Sequence, residues 1–499
     1  MLQTLTRMVG RLSRRGQTVE QNGSPFRQLS SIWARRRINA RYDAANTTLD
    51  NMRHWAAADG LSANAANNPE VRRTLRNRSR YEVANNSYAR GITLTLANDV
   101  VGTGPRLQML TPSPNANRIV EQEFFSWAHE ISFPEKLRTM RLSRVADGEA
   151  IGLLVNNEKV ASPVKLDLRL IETDHLASPH LERDPPRYVD GIQFDENGMP
   201  ISYDILKEHP GDLNFGLGAD YDTIDASAVI HYFRCDRPGQ IRGIPDITPA
   251  LPLFAQLRRF TLAVLAAAET AADFAGILYT DAPANGEADA AEPFEPIELE
   301  KRMLLTMPGG WKMSQLHSEQ PATTYAEFKR EILNEIARCL SMPFNVAAGN
   351  SSGYNYASGR LDHQTYFKSI RVEQSHLSRV ILDRVFHAWL QEAVLIDGYL
   401  PQEMRTLNAD TSHQWFFDGH EHVDPAKEAN AQKIRLISHT TTLAHEYARQ
   451  GRDWEAELKQ RAKEIQMMRE LGLEIDRESQ DISPNGVLDD EDAHAAEVE

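Results

Sequence analysis

Three stretches of this 499-residue chain carry side chains of the kinds that do chemistry. Gly349-Asn350-Ser351-Ser352-Gly353 has the G-x-S-x-G spacing, in which a strained strand-to-helix turn exposes a nucleophilic serine. Its surroundings oppose that use. A helical pattern and Pro343 precede it and leave only 345–348 for a strand, and a polar loop follows where a helix should begin. Ser162-Pro163-Val164-Lys165 matches S-x-x-K without its companion motifs and reads as the edge of a strand. His420-Glu421-His422, with Asp418 and Asp424, offers metal-ligand types, but adjacent and alternate residues point in different directions. His445-Glu446 lacks the second histidine of H-E-x-x-H. No G-x-x-x-x-G-K-[ST] occurs, so the chain is not expected to cradle ATP in a P-loop. No catalytic, cofactor-binding or metal-binding residues are expected. A serine hydrolase using Ser351 is the rival reading, and a generic helical scaffold is a third.

The elements around Ser351 say more than the serine does. Tyr325, Phe328, Ile332, Ile336 and Leu340 recur at helical spacing until Pro343, which lacks a donor and clashes with the preceding turn. The loop 349–359 follows, with glycines at 349, 353 and 359 supplying backbone freedom. From Leu361 the period resumes through Ile370, Leu377, Ile381, Val385 and Trp389 to residue 394, a rod of roughly 50 Å. The pattern predicts a mobile polar loop between two rigid rods.

Composition bounds the class. With 41% hydrophobic and 25% charged residues the chain can bury a core, and its length suits two to four domains or subdomains. The richest apolar window, 260–275, is broken by Glu269 and Asp273, so no membrane span is expected, and residues 1–15 lack the apolar block of a secretory signal. Cys235 and Cys339 have no metal-type spacing and read as buried, reduced thiols in a cytosolic setting. The net charge of −15 is unevenly spread. Residues 1–41 hold nine Arg against Glu20, a charge of +8 that leaves −23 for the rest. That arm suits phosphates or an acidic surface, whereas the acidic end at 489–492, with Glu497 and Glu499, reads as an unstructured tail.

Along the chain, 41–90 reads as helices split by an Ala/Asn-rich connector at 56–69, with Ile92, Leu96 and Val100 continuing a helical face until Gly102-Thr103-Gly104-Pro105. A β-rich block is expected next. Residues 164–170 alternate strictly, 149–155 are their partner, 188–194 and 201–206 form a second hairpin, and 229–233 another strand. A helix over 249–275 narrows toward alanine, and 281–300 carry seven acids, three prolines and no base. These predict two antiparallel rods with an exposed tip between them. A final helical block spans 428–468 around Gly451.

Several short motifs, in order, resemble the lambda-type tailed-phage portal proteins, the head-tail connector family. They are Ala40-Arg41-Tyr42-Asp43-Ala44-Ala45, Arg53-His54-Trp55, Asn85-Asn86-Ser87-Tyr88-Ala89-Arg90-Gly91-Ile92 and Leu96-Ala97-Asn98-Asp99-Val100-Val101-Gly102-Thr103-Gly104. Further on come Arg237-Pro238-Gly239-Gln240-Ile241-Arg242-Gly243-Ile244-Pro245, Glu335-Ile336-Ala337-Arg338 with Met342-Pro343, and Asp424-Pro425-Ala426-Lys427-Glu428-Ala429. The resemblance runs from about residue 30 to 475.

It implies an α+β fold with long stem helices, an α/β wing and a helical crown, assembled as a closed ring of about twelve copies at one capsid vertex. The implied divisions are a basic arm at 1–40, the wing at 41–248, stem helices at 249–275 and 323–342, and a clip at 276–322. A tunnel-loop region follows at 343–360, then a wing-spanning helix and return at 361–425, a crown-like block at 426–475 and an acidic tail at 476–499. Asn350, Ser351, Ser352, Gly353, Tyr354, Asn355, Tyr356 and Ser358 would face double-stranded DNA, and Glu292, Glu295 and Glu298 would lie on the clip that meets the motor. The implied partners are other copies of the chain, the terminase large subunit, a head-completion or neck protein, and the major capsid and scaffold proteins. The implied location is the virion, with host cytoplasm during assembly and no membrane. An acidic body agrees with a conduit, since tight DNA binding needs many cations on phosphates and neutral Asn, Ser and Tyr contacts break easily.

Overall fold

In the computed structural model, the residues described are 48–49, 51–178, 187–212, 220–273, 277–280, 311–314, 322–353, 355–406, 409–419 and 425–473. The chain divides into two compact units, 1–61 and 62–499. The described part of the first consists of turns, not the helix expected from residue 41. Thr48 and Asn51 cap one another there, each side-chain oxygen accepting the other's backbone N–H at 2.8 and 3.2 Å.

In the second unit a single helical turn (Ala63–Ala66) precedes helices α1 (Pro69–Asn85) and α2 (Ser87–Val101). Asparagines set both starts: Asn68 accepts from the N–H groups of Glu70 and Val71, and Asn86 from those of Tyr88 and Ala89. Strand β1 (Arg106–Met109) leads into α3 (Pro114–Glu130) and α4 (Phe133–Asp147), two helices where a β-rich block was expected. The signal for α3 is present, with Pro114 in its first turn and Ala116, Val120, Phe124 and Trp127 buried along one side. In α4 the buried side includes Arg141, Arg144 and Asp147, so charge dilutes its apolar period.

The sheets follow the expected pairings with one correction. Strand β2 (Glu149–Asn156) lies between β3 (Leu166–Ile171) and β8 (Val229–Phe233), all antiparallel. A second sheet runs β4 (Tyr188–Val189), β5 (Ile192–Phe194), β6 (Pro200–Leu206), β7 (Tyr221–Asp225) in spatial order. Residues 188–194 are therefore not one strand but a hairpin, because Asp190 and Gly191 both take positive φ (52° and 85°) and reverse the chain.

Two rods then pack antiparallel, as expected: α5 (Leu251–Asp273) and α6 (Ala322–Cys339). Phe260 of α5 meets Phe328 and Tyr325 near the start of α6, while Cys339 at its end donates to the Asp246 carbonyl just before α5. Between them, β9 (Ile277–Thr280) and β10 (Trp311–Ser314) form an antiparallel ribbon. The acidic stretch 281–300 lies outside the described residues. By length and composition Thr248–Glu269 would suffice to cross a membrane, against the expectation drawn from the window 260–275; shifting the window toward the N-terminus removes Asp273.

After α7 (Phe344–Ala348) the long rod runs as α8 (Tyr356–Leu377), a π-helical turn at Ser378–Leu382, and α9 (Asp383–Ala393). Strand β11 (His413–Phe416) returns to pair with β1. Helices α10 (Pro425–Ile437), α11 (Leu443–Arg449) and α12 (Trp454–Glu470) close the described chain, with α11 ending just before Gly451 as the pattern implied. The main core gathers Trp127, Phe386 and Trp389 around Phe124, with the partly buried Trp415 against the same ring. Cys235 is exposed rather than buried, and both cysteines are free.

Candidate functional site

Around Ser351 the chain closes two helices in succession by the same device. After α6, Ser341 takes φ 54° while its N–H bonds the Arg338 carbonyl and the Met342 N–H bonds the Ala337 carbonyl. After α7, Gly349 (φ 61°) does the same: the Asn350 N–H reaches the Asn345 carbonyl and the Gly349 N–H reaches that of Val346. The residues before the motif are thus a helix, not the strand a nucleophile elbow needs, and nothing in this geometry supports Ser351 as a nucleophile.

The loop is shorter than its composition suggested. Asn350 Oδ1 accepts from both the N–H and the hydroxyl of Ser352, forming a local turn. Asn355 Oδ1 accepts from the Ser358 N–H at 2.8 Å and so starts α8 at Tyr356, five residues ahead of the expected Leu361. Of the residues expected to face DNA, Asn350, Ser351, Ser352, Gly353 and Asn355 stand exposed in the loop, while Ser358 is exposed in the first turn of α8. Tyr356 starts that helix; Tyr354 and the side chain of Tyr356 lie outside the described residues, as do Glu292, Glu295 and Glu298.

Both sides of the loop are fastened. Helix α7 buries Ala347, and Asn345 donates to His363 of α8 at 3.0 Å. Farther along α8, the Tyr366 hydroxyl donates to Asp99 at 2.6 Å, Gln374 donates to the Val100 carbonyl, and Glu373 pairs with Arg144. Burial and the Asp99 carboxylate push the Tyr366 phenol well above its ordinary value. The motif around Asp99 and Val100 therefore acts as an anchor for the rod. A polar cavity of about 230 Å³ beside the loop is lined by Arg330, Glu331, Asn334, Phe344, Gly353, Ser358 and Asp362.

The Arg237-to-Pro245 motif has a structural task that sequence reasoning did not identify. Arg242, Arg76 and His231 converge on Glu149, which is fully buried. Burial alone would raise Glu149, yet Arg242 and the His231 bond override it and hold the carboxyl well below its ordinary range. The Gly243 N–H also donates to Glu149, and a Cβ on Gly243 would come within 2.0 Å of the Gly148 carbonyl oxygen. Gln240 accepts from the N–H groups of Asp236 and Arg237 and donates to the Arg242 carbonyl. Asp246 is likewise buried and, against that burial, is lowered by Arg141, Arg144 and Arg234. The Gln240 bonds are local, but Arg76, His231 and Arg242 lie 73 to 93 positions from Glu149 and Arg141 lies 105 from Asp246, so no local signal marks the ion partners.

Of the metal-type residues singled out in sequence, Asp418 takes the N–H and hydroxyl of Thr103, and 420–424 lie outside the described residues. Among the described residues, Glu172, Asp174 and His209 bring ligand-type atoms within 4.8 Å of one another. Arg80 Nη2 lies 3.3 Å from Glu172 and 2.8 Å from Asp174, and the Gly211 N–H donates to His209 Nδ1. A cation is therefore already present as a guanidinium, and His209 turns Nε2 toward the same two carboxylates.

A family model described as phage portal protein, lambda family, matches residues 49–374. The chain belongs to that family. It is 26% identical over 428 residues to a probable portal protein of Halomonas phage phiHAP-1, covering 80% of this chain and 81% of that one. Among solved structures it is similar to a chain in the neck of an empty GTA particle computed with C6 symmetry, with a TM-score of 0.43 at 14% identity, covering 72% of this chain and 87% of that chain. A chain in the neck of a native GTA particle computed with C12 symmetry gives 0.42 at 14%, covering 74% and 89%.

Proposed function

We propose that this portal-family chain is one subunit of a closed ring at a capsid vertex, a non-enzymatic conduit for packaging and ejection of double-stranded DNA. The observation that carries the reading is the family match over 49–374, which takes in α5, α6, the loop and most of α8. In this reading 41–248 are the wing, α5 and α6 the stem, 361–425 the wing-spanning helix and return, and 426–475 the crown. Residues 349–355, with the first turn of α8, face the DNA. Leu262 and Leu265 of α5 are 59% and 53% exposed in the single chain, which suits burial against a neighbouring copy in the ring. The clip at 276–322 meets the terminase large subunit, with Glu292, Glu295 and Glu298 setting its encounter rate and salt dependence. Terminase binding to rings lacking those three charges measures that part. Neck, capsid and scaffold proteins are the other partners, in the virion and, before it, the host cytoplasm.

Gly353→Pro tests the loop. Gly353 has φ 82°, which proline cannot adopt, so the change distorts the loop and leaves the helix contacts in place. Rings should form with a mass near 680 kDa for about twelve chains of 56.3 kDa, while heads built on them hold less DNA than wild type. Heads that fill and retain DNA normally would remove the loop from the channel function, and a stable monomer in the wild type would remove the ring.

A further inference from the structure

The C-terminal helices meet the rest of the chain at a place crowded with carboxylates. Strand β1 is gripped there at adjacent residues from two sides. From α3, Glu121 accepts the Met109 N–H at 2.7 Å. From the start of α12, Asp453 accepts the Gln108 side-chain amide at 3.1 Å, and Gln108 in turn accepts from Gln414 of β11 at 2.6 Å. Asp453 also caps α12 by accepting the Glu455 N–H, so the carboxylate that docks the helix is the one that starts it. A third contact lies nearby, where Gly451 sits against the Phe417 carbonyl. We propose that Glu121 and Asp453 form a proton-sensitive joint, which fastens the C-terminal helices to the β1–β11 ribbon when Glu121 is protonated and strains that attachment when it is ionised.

The charges facing Glu121 are mixed in sign, with the two acids ahead of the one lysine. From β1 it meets the Met109 N–H, which favours the anion; from α12 it meets Asp453 and Glu455, which oppose it, and Lys459, which favours it. Burial is the largest influence, and with the two acids it pushes Glu121 up to about 7. If α12 lifts away, Glu121 regains water and loses its like-charged neighbours, and its affinity for a proton falls toward the ordinary 4.5. The sign follows from linkage. Below about pH 4.5 both forms hold the proton and docking is at full strength. Between about 4.5 and 7 the undocked form releases it first, so docking weakens as pH rises, and above 7 the loss is complete. A shift of this size caps the change in the opening equilibrium at about 300-fold. The proposal does not depend on the channel reading of the loop.

Hydrogen exchange of the assembled full-length protein at about pH 5 and pH 7.5, corrected for intrinsic rates, reads the joint through peptides of 454–470. In the wild type their protection should fall by about tenfold or more on going to pH 7.5. Glu121→Gln keeps an acceptor for Met109 without the charge and should abolish the fall. The decisive quantity is the difference between wild type and variant, in which any pH dependence common to both cancels. Asp453→Asn retains a capping oxygen while removing one opposing charge, and should shrink the fall. A wild type with no pH dependence, a Glu121→Gln protein that follows the wild type, or an unchanged fall in Asp453→Asn would each overturn the joint.

Discussion

The junction around Glu149 and the loop around Ser351 are both polar, and they use polarity in opposite ways. In the junction, full charges are taken out of water and each is answered by a partner distant in sequence: Arg76 and Arg242 for Glu149, Arg141 for Asp246, Glu373 for Arg144. In the loop, neutral amides and hydroxyls stay in water and bond to near neighbours, Asn350 to Ser352 and Asn355 to Ser358. The first arrangement makes this part of the fold depend on every member of the set. The second makes the loop tolerant, because water replaces any bond that is lost.

The largest effect is therefore expected at Glu149. Glu149→Gln leaves Arg76 and Arg242 buried without their counter-charge, which costs about 3–5 kcal/mol. Denaturant titration should register that loss, together with poor yield of assembled protein. Acid sharpens the comparison. The folded values of Glu149 and Asp246 are depressed, so the stability they contribute is present above their ordinary values and is lost as pH falls through the folded ones. Wild-type stability should fall on acidification, and the Glu149→Gln protein should fall less. Equal acid sensitivity in the two would mean that Glu149 is not the group whose ionisation the fold requires.

The same contrast explains what could be read before the structure. The rods, the strand pairing of 149–155 with 164–170, and the loop's place between helices follow from local periods and breakers, and those survived. The extent of the loop did not, because Asn355 was read as a loop residue when its side chain caps the helix that follows. Helix α4 was missed for the opposite reason: Arg141, Arg144 and Asp147 face inward, and their partners Asp246, Glu373 and Arg80 lie elsewhere in the chain. Local chemistry is legible in one sequence, whereas a buried ion network becomes visible only once the chain has brought its members together. The portal resemblance recovered the Arg237-to-Pro245 motif by its pattern without revealing that Arg242 and Gly243 both serve Glu149.

A middle-sized effect is expected where the loop borders on structure. Asn355→Ala removes the bond to the Ser358 N–H, and the loss of such a cap costs about 1 kcal/mol. It should be felt locally, as faster exchange of amides at the start of α8, while the Tyr366–Asp99 contact keeps the remainder of the rod in place. Exchange unchanged near residue 358 would show that the cap does not set the loop's length.

The smallest effect is expected at Ser351, and it is the most discriminating for function. Ser351 is exposed, follows a helix, and sits beside Ser352, whose N–H and hydroxyl make the turn with Asn350. Ser351→Ala should change stability by less than about 0.5 kcal/mol, as surface substitutions away from caps and cores do. If the chain is the proposed conduit, ring formation and DNA packaging should remain near wild type, since loss of one of several hydroxyls would leave the others to meet phosphates. A hydrolase would answer differently, because removing a nucleophile lowers activity by several orders of magnitude. Labelling by an ester-reactive probe, present in wild type and absent in Ser351→Ala, would overturn the contrast between a charged junction that cannot spare a member and a neutral loop that can.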